Sequence, residues 1–339
     1  LNTPFDKRRP IDKLRDGAAS LEIKTPGDDS AILEMISTGD RLLVVKAKGI
    51  YEVKLADEVD PKRTNINVPN TIQRVLPYGA DDPWVGAVLL TGHHLFFSSC
   101  SPSIVASNSA FGLLLEIAED IAGADQLAKN YREAERAATE SLDPKIRKDR
   151  SVVVPAIGNI ESRCNEFLQR SDHALRELFR LVQMFYPDVG SGGWEGLKKE
   201  IDRGPHDIDN FPQFLAETVP FLQLIRNARN CVEHPRAEQR LVVADFSLDP
   251  MNVMLPPMVE IIHPKTSLDR VTVNTFFTQT LQKIVSLVEL MVVFLCARHV
   301  RPVGGFPVQV VELPPQQRKS THVRYGYGTV IGDQIVPMS

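Results

Sequence analysis

Apolar and polar positions in the first third of the chain come in short runs of β character. Arg41–Val45 is apolar, and Gly49 separates it from Ile50–Leu55, where Ile50, Glu52 and Lys54 alternate with Tyr51, Val53 and Leu55. Two β-prone runs around a glycine predict a hairpin. Polar, turn-rich Asp57–Asn70 follows. A second strand pair is predicted at Trp84–Leu90 and His94–Phe97, with Thr91-Gly92 at the turn. The steps Asp60-Pro61, Val68-Pro69 and Leu76-Pro77 disfavour helix here, because the residue before a proline is pushed into extended backbone.

Near Ser107 the period changes from two to that of a helix. Phe111–Ser141, rich in Ala, Leu, Glu and Lys, predicts a long helix broken near Gly123 and ended by Pro144. Ser151–Tyr186 predicts a second, with Ile160, Phe167, Leu168, Leu175, Leu178, Phe179 and Val182 at near-helical spacing and Pro187 as its stop. Gly190-Ser191-Gly192-Gly193 reads as a flexible connection to a short helix at Trp194–Asp202, and a polar loop runs through Gly204-Pro205. Phe214–Glu233 is a third long helix, stopped by Pro235. Arg240–Phe246 and Met258–Ile262 read as strands. Ser267-Leu268-Asp269 opens a last helix that ends near His299, and β character returns at Val308–Leu313 and Thr329–Val336.

This order gives an α+β fold in which a helical bundle follows an N-terminal β-rich α/β region and carries a β excursion and C-terminal strands. The domains expected are 1–105, a β-rich accessory region; 106–305, the helical domain, with the excursion at about 238–264; and 306–339, a β tail. Whether the termini and the excursion share one sheet stays open at this level.

Composition narrows the possible functions. The 339 residues suggest two domains or one elaborated one. Thirty-nine Lys+Arg against 43 Asp+Glu give a formal charge of −4, which argues against nucleic-acid binding by bulk positive charge but leaves room for a local cationic site. Cys100, Cys164, Cys231 and Cys296 are scattered without a CxxC, which disfavours a disulfide scaffold or zinc ribbon and fits a reducing cytosol. Leu1–Asp16 alternates charges and has no apolar run of the signal-peptide kind. The most apolar stretch, Ile284–Ala297, is short and contains Ser286 and Glu289, so it reads as a buried core helix rather than a membrane span. The expectation is a cytoplasmic protein with no membrane partner.

The third long helix carries the candidate chemistry. At about 100° per residue, Phe221, Leu224, Ala228, Cys231 and Val232 fall on one side, and Arg226, Arg229, Asn230, Glu233 and His234 gather on the other. Asn230–His234, Arg229–Glu233 and Arg226–Asn230 are i,i+4 neighbours. Pro235 forces His234 out of helical geometry and sets its imidazole at the C-terminal edge of the helix.

Arg229-Asn230-Cys231-Val232-Glu233-His234 resembles the Arg-polar-x3-His signature of the HEPN superfamily (higher eukaryotes and prokaryotes nucleotide-binding). The resemblance covers about 107–300, and its specific part is these six residues. It implies a bundle of four or five helices with the signature late in the bundle. Many members are metal-independent ribonucleases of bacterial defence or toxin-type systems that act as dimers, both signatures facing one cleft. Some carry a tyrosine two residues after the signature histidine, the target of nucleotidylation by a partner antitoxin; Arg236 stands there in this chain.

On this resemblance Arg229, His234 and Asn230 are the catalytic candidates, Arg226 an RNA-binding residue and Glu233 a structural or orienting one. Attack of a ribose 2′-OH on the adjacent phosphorus needs a base near neutral pH and a cation for the developing charge. His234 supplies an acid or base, and the forked, permanently charged Arg229 suits the phosphorane oxygens. Asn230 orients phosphate or imidazole, while Glu233 pairs with Arg229. The expected product is a 2′,3′-cyclic phosphate. The expected partners are an RNA substrate, a second copy of the chain and a cognate antitoxin or regulatory protein; no cofactor and no metal are expected. The alternative is a non-catalytic module that dimerises and binds a nucleotide or a protein.

Other clusters weigh less. His93-His94 with Cys100 hints at a metal, but neighbouring residues on a strand point to opposite faces. His206-Asp207-Ile208-Asp209 lacks the spacing of a calcium loop. Tyr325-Gly326-Tyr327 is a weak candidate for stacking on RNA bases and reads better as strand packing.

Overall fold

The structure, a computed structural model, describes residues 8–17, 23–25, 27–140, 147–204, 209–302, 307–318, 320–331 and 334–338. It has an α+β architecture of long helices and antiparallel sheets. The chain divides into two compact units, Leu1–Gly86 with Arg318–Val323, and Ala87–Gln317 with Arg324–Ser339.

In the first unit the predicted hairpin forms between β2 (Arg41–Val45) and β3 (Ile50–Lys54), with Leu43 opposite Glu52 and Val44 opposite Tyr51. It is the centre of an antiparallel meander flanked by β1 (Glu34–Thr38) and β4 (Thr71–Leu76). Neither flanking strand had been expected. β4 is exposed over Thr71–Arg74, so edge pairing rather than an apolar face defines it. Val44 and Val53 bury against Ile23, and beside them Lys46 is almost wholly buried. Its ammonium donates to Ile23 O, Thr25 Oγ1 and Asp28 O, three acceptors for its three protons. The short α1 (Pro10–Asp16) buries only Ile11, and is tied by Arg15 to Asp57 and Asp60 in and after α2 (Ala56–Val59).

The strand pair expected at Trp84–Leu90 and His94–Phe97 is helical instead. Pro83–Val85 is a turn of helix (α3), Gly86–Leu90 a π-helical stretch, and Thr91–Phe96 the α-helix α4. The β-like apolar composition reflects burial on all sides: Leu89, Leu90, Leu95 and Phe96 are each at most 2% exposed, so no polar stripe marks the helical period. Gly92 lets α4 lie against α5 (Ser107–Glu140), where a Cβ would stand 2.1 Å from Leu114 Cδ1. His93 and His94 therefore occupy successive helical positions, their rings 5.7 Å apart, with His93 edge-on to Phe111.

The helix α5 is continuous through Gly123, where a break had been expected. The glycine there makes room for the Arg170 side chain, whose Nε would lie 3.2 Å from a Cβ. The second long helix, α6, begins at Ile160 and ends at Phe185, not at Ser151. Gly158 and Asn159 both have positive φ, and the Gly158 and Ile157 amides donate to Asp245 Oδ2, so the chain turns before the helix can start. A 3₁₀ turn at Pro187–Gly192 leads to α7 (Gly193–Arg203), and α8 spans Phe211–Glu233. His206, Asp207 and Ile208 lie outside the described residues; Asp209 makes a bidentate pair with Arg298, at 2.9 Å to both Nε and Nη2.

After α8 the excursion is a small antiparallel sheet in the order β5 (Arg240–Ala244), β8 (Met258–Ile262), β9 (Leu268–Thr272), with the short pair β6 (Ser247–Leu248) and β7 (Met254–Leu255) at its far turn. β9 occupies the segment expected to open the last helix. That helix, α9 (Val273–Arg298), starts one residue after Thr272, whose Oγ1 accepts from the Thr275 amide as an N-cap. α9 is long and apolar enough to cross a membrane, but 61% of its apolar stretch is buried inside the protein, where it forms the core helix. Phe277 stacks on Phe167 of α6 at 4.1 Å, Phe294 on Phe211 of α8 at 4.9 Å, and the buried Glu289 is clamped by Arg324.

The C-terminal strands form a third meander, β10 (Gln309–Glu312), β11 (Tyr325–Ile331) and β12 (Gln334–Pro337). The β character read at Thr329–Val336 falls on the end of β11 and most of β12. Tyr327 is buried and its hydroxyl donates to Leu95 O at 3.1 Å. Among the described residues the N-terminal, excursion and C-terminal strands lie in separate sheets.

Candidate functional site

The helix α8 meets its neighbours through Leu215, Val219, Leu222, Ile225, Ala228 and Cys231, a buried row spaced three and four apart. This row is rotated from the expected one: Phe221, Leu224 and Val232 are only half-buried, while Leu222 and Ile225 are fully inside. The sheet excursion braces the C-terminal end. Asn227 Nδ2 donates to Thr266 Oγ1 at 2.9 Å, and Cys231 Sγ approaches Ile262 O at 3.6 Å. His234 has left helical geometry, with φ −136° and ψ 63°, although its amide still donates to Asn230 O at 2.9 Å. Gln239 Nε2 caps the end by donating to the carbonyls of Asn230 and His234.

Arg229 and Glu233 line an open polar cleft of about 600 Å³. Asp120 of α5 contributes to its wall, and α6 supplies Glu166, Gln169, Arg170, His173 and Arg176. Arg229 is only 27% exposed. Its Nη2 donates to Glu233 Oε1 at 2.6 Å, the i,i+4 pair expected from the spacing, and its Nη1 lies 3.2 Å from Asp172 Oδ2. Asp172 also meets Arg176 Nε at 3.1 Å. Burial pushes the Asp172 carboxyl above the ordinary carboxylate range, and the charges of Arg176 and Arg229 offset this only in part.

A second polar array runs along the cleft from α5 to α6. Asp120, 4% exposed, accepts from Arg170 Nη1 at 3.2 Å and hydrogen-bonds the Nδ1 of His173. The Nε2 of His173 is 3.7 Å from Glu177 Oε1. Glu177 in turn is bonded by Arg180, and burial together with the Glu177 charge pushes the Glu116 carboxyl up.

The remaining expected residues sit outside the lining. His234 is exposed, one residue beyond the lining residue Glu233 in sequence, and its ring makes no hydrogen bond among the described residues. Asn230 is half-buried and Arg226 exposed, and neither side chain is hydrogen-bonded among the described residues. Tyr327, in the segment considered for base stacking, is buried by strand packing. Sequence reading missed Asp120, Arg170, His173 and Arg176. Their signal was present: Glu166, Arg170, His173, Arg176 and Arg180 recur three or four apart along α6, as do Glu116 and Asp120 along α5. Such a charged stripe has the same spacing as an ordinary solvated face, and only the facing of the two helices makes it a site.

No family model, curated protein or solved structure matches the chain.

Proposed function

We propose that this protein is a metal-independent endoribonuclease of a bacterial defence or toxin-type system, acting in the cytoplasm as a homodimer through its helical domain. The observation that carries the reading is the placing of two side chains from one six-residue segment. Arg229 stands in the wall of an open polar cleft, and His234 follows the lining residue Glu233 with its imidazole exposed and unengaged among the described residues. A guanidinium held by carboxylates on both sides is fixed in direction, which is what a group meeting the charge of a phosphorane requires. His234 transfers a proton, Asn230 and Arg226 contact the RNA beside it, and the product is a 2′,3′-cyclic phosphate. A cognate antitoxin or regulatory protein is the partner this reading entails.

The test is cleavage of single-stranded or transfer RNA by the purified protein with EDTA present. Wild type is expected to cut, His234→Ala to abolish cutting while melting at the wild-type temperature, and Arg229→Ala to abolish it while still folded. Intact RNA with wild type sinks the reading. One observation favours a second reading, a non-catalytic module binding a nucleotide or protein: Arg229 is already neutralised by Asp172 and Glu233. That reading gains if RNA stays intact while a nucleotide raises the melting temperature of wild type but not of Arg229→Ala.

A further inference from the structure

The cleft holds an imidazole for which the six-residue segment gives no role. His173 lines the same space as Arg229. Its Nδ1 is bonded to Asp120, a carboxylate that is 4% exposed and further held by Arg170. A buried carboxylate on one ring nitrogen fixes both the ring's direction and its tautomer, with the proton on Nδ1. In the neutral ring the lone pair is then on Nε2. That atom is 3.7 Å from Glu177 Oε1, beyond hydrogen-bond reach, and Glu177 is occupied by Arg180. Half of the His173 side chain is open to solvent. An imidazole oriented at Nδ1 and making no hydrogen bond at Nε2 among the described residues has the form of a general base.

We infer that the scissile RNA phosphodiester lies in this cleft and that His173, oriented by Asp120, is the base that takes the 2′-OH proton. The inference rests on the ribonuclease reading and divides its chemistry between two histidines. Nε2 of His173 removes the proton of the ribose 2′-OH as the O2′–P bond forms. The P–O5′ bond breaks, and O5′ leaves with a proton from the protonated imidazole of His234, which follows the lining residue Glu233 in the chain. The products are a 2′,3′-cyclic phosphate and a 5′-hydroxyl. No co-reactant is consumed, and solvent exchange resets the two imidazoles. Asp120 is a positioning residue, and Arg176 and Arg229 supply the cationic side of the cleft.

Two substrates separate the roles. A ribodinucleotide has a poor leaving group that needs a proton from an acid; uridine 3′-(4-nitrophenyl phosphate) has a leaving group that needs none. His234→Ala is expected to lose about 100-fold or more on the dinucleotide and to recover to within about tenfold of wild type on the nitrophenyl ester. His173→Ala and His173→Gln are expected to lose about 100-fold or more on both. Asp120→Asn is expected to lower kcat with KM unchanged. Melting curves establish that each variant is folded, and the glutamine variant keeps the test open should the alanine variant unfold. Folded His173 variants that cleave both substrates at the wild-type rate overturn the inference, as does their rescue by the nitrophenyl leaving group. Wild type that leaves both substrates intact refutes the ribonuclease reading itself, an outcome distinct from failure of His173 alone.

Discussion

Asp172 holds two cleft arginines with one carboxylate oxygen: its Oδ2 lies 3.2 Å from Arg229 Nη1 and 3.1 Å from Arg176 Nε. The carboxylate is buried, and burial outweighs the two cations in setting its proton affinity. Because the folded state raises this pKa, the contribution of Asp172 to stability is complete below about pH 4, its unfolded value, and is lost as pH rises through the raised one. Above its raised value the charged carboxylate therefore opposes folding. Asp172→Asn is expected to melt at or above the wild-type temperature at pH 7, with the difference closing below about pH 4. A variant melting several degrees lower at pH 7 would show that the ion pairs outweigh burial.

The pair Asp209–Arg298 has the opposite sign. Burial alone would raise the Asp209 carboxyl, but the Arg298 hydrogen bonds, the Phe211 amide and the Arg298 charge outweigh it and hold the group below its usual range. Its contribution is present above the unfolded value of about 4 and is lost as pH falls through the depressed one. Arg298→Ala leaves a mostly buried carboxylate unpaired and is expected to cost about 3 kcal/mol at pH 7. The cost shrinks in acid, as urea titrations at pH 7 and pH 3 would register. An equal loss at both pH values would assign the role of Arg298 to its packing over the Phe211 ring.

Helix propensity and packing disagree at Gly92. An alanine in a helix gains about 1 kcal/mol over glycine, but a Cβ here would stand 2.1 Å from Leu114 Cδ1. Leu114 is fully buried and has little room to yield, and overpacking of this kind costs about 1–3 kcal/mol. Gly92→Ala is expected to lower the melting temperature, and Leu114→Ala to cost less in its presence than alone. Additive effects in that double-mutant cycle would rule the clash out.

The four cysteines are buried, and burial pushes the Cys164 and Cys296 thiols up to about 12. Thiolate is the reactive form. Native protein at pH 8 is expected to react negligibly with Ellman's reagent over minutes, and to titrate four thiols at once in guanidinium chloride. Rapid reaction of one thiol in the native state would mark a local opening around it.

What the sequence made readable follows from which forces act locally. The hairpin β2–β3 and the helix α8 were legible because alternation, amphipathic spacing and Pro235 all act within a few residues. The segment Val85–Phe96 was not, since all of its residues but His93 and His94 are buried and its apolar run has no period to read. The start of α6 was misplaced by nine residues because left-handed Asn159 and the Asp245 acceptor, far away in sequence, decide it. In the cleft, Arg229 and Glu233 could be paired from spacing alone. The bond from Asp120 to His173 joins residues on two helices, and no spacing rule reaches across them.

The hydrogen bond from Tyr327 to Leu95 joins residues 232 positions apart. At synthesis rates of about 5–20 residues per second, Leu95 waits roughly 12–46 seconds for that partner. For that interval the surface that receives β11 is uncovered, which makes it the place where a chaperone or a premature self-association would act on the nascent protein. Released chains ending before Tyr325 should accordingly be cut by protease near α4, and chains that include β11 spared.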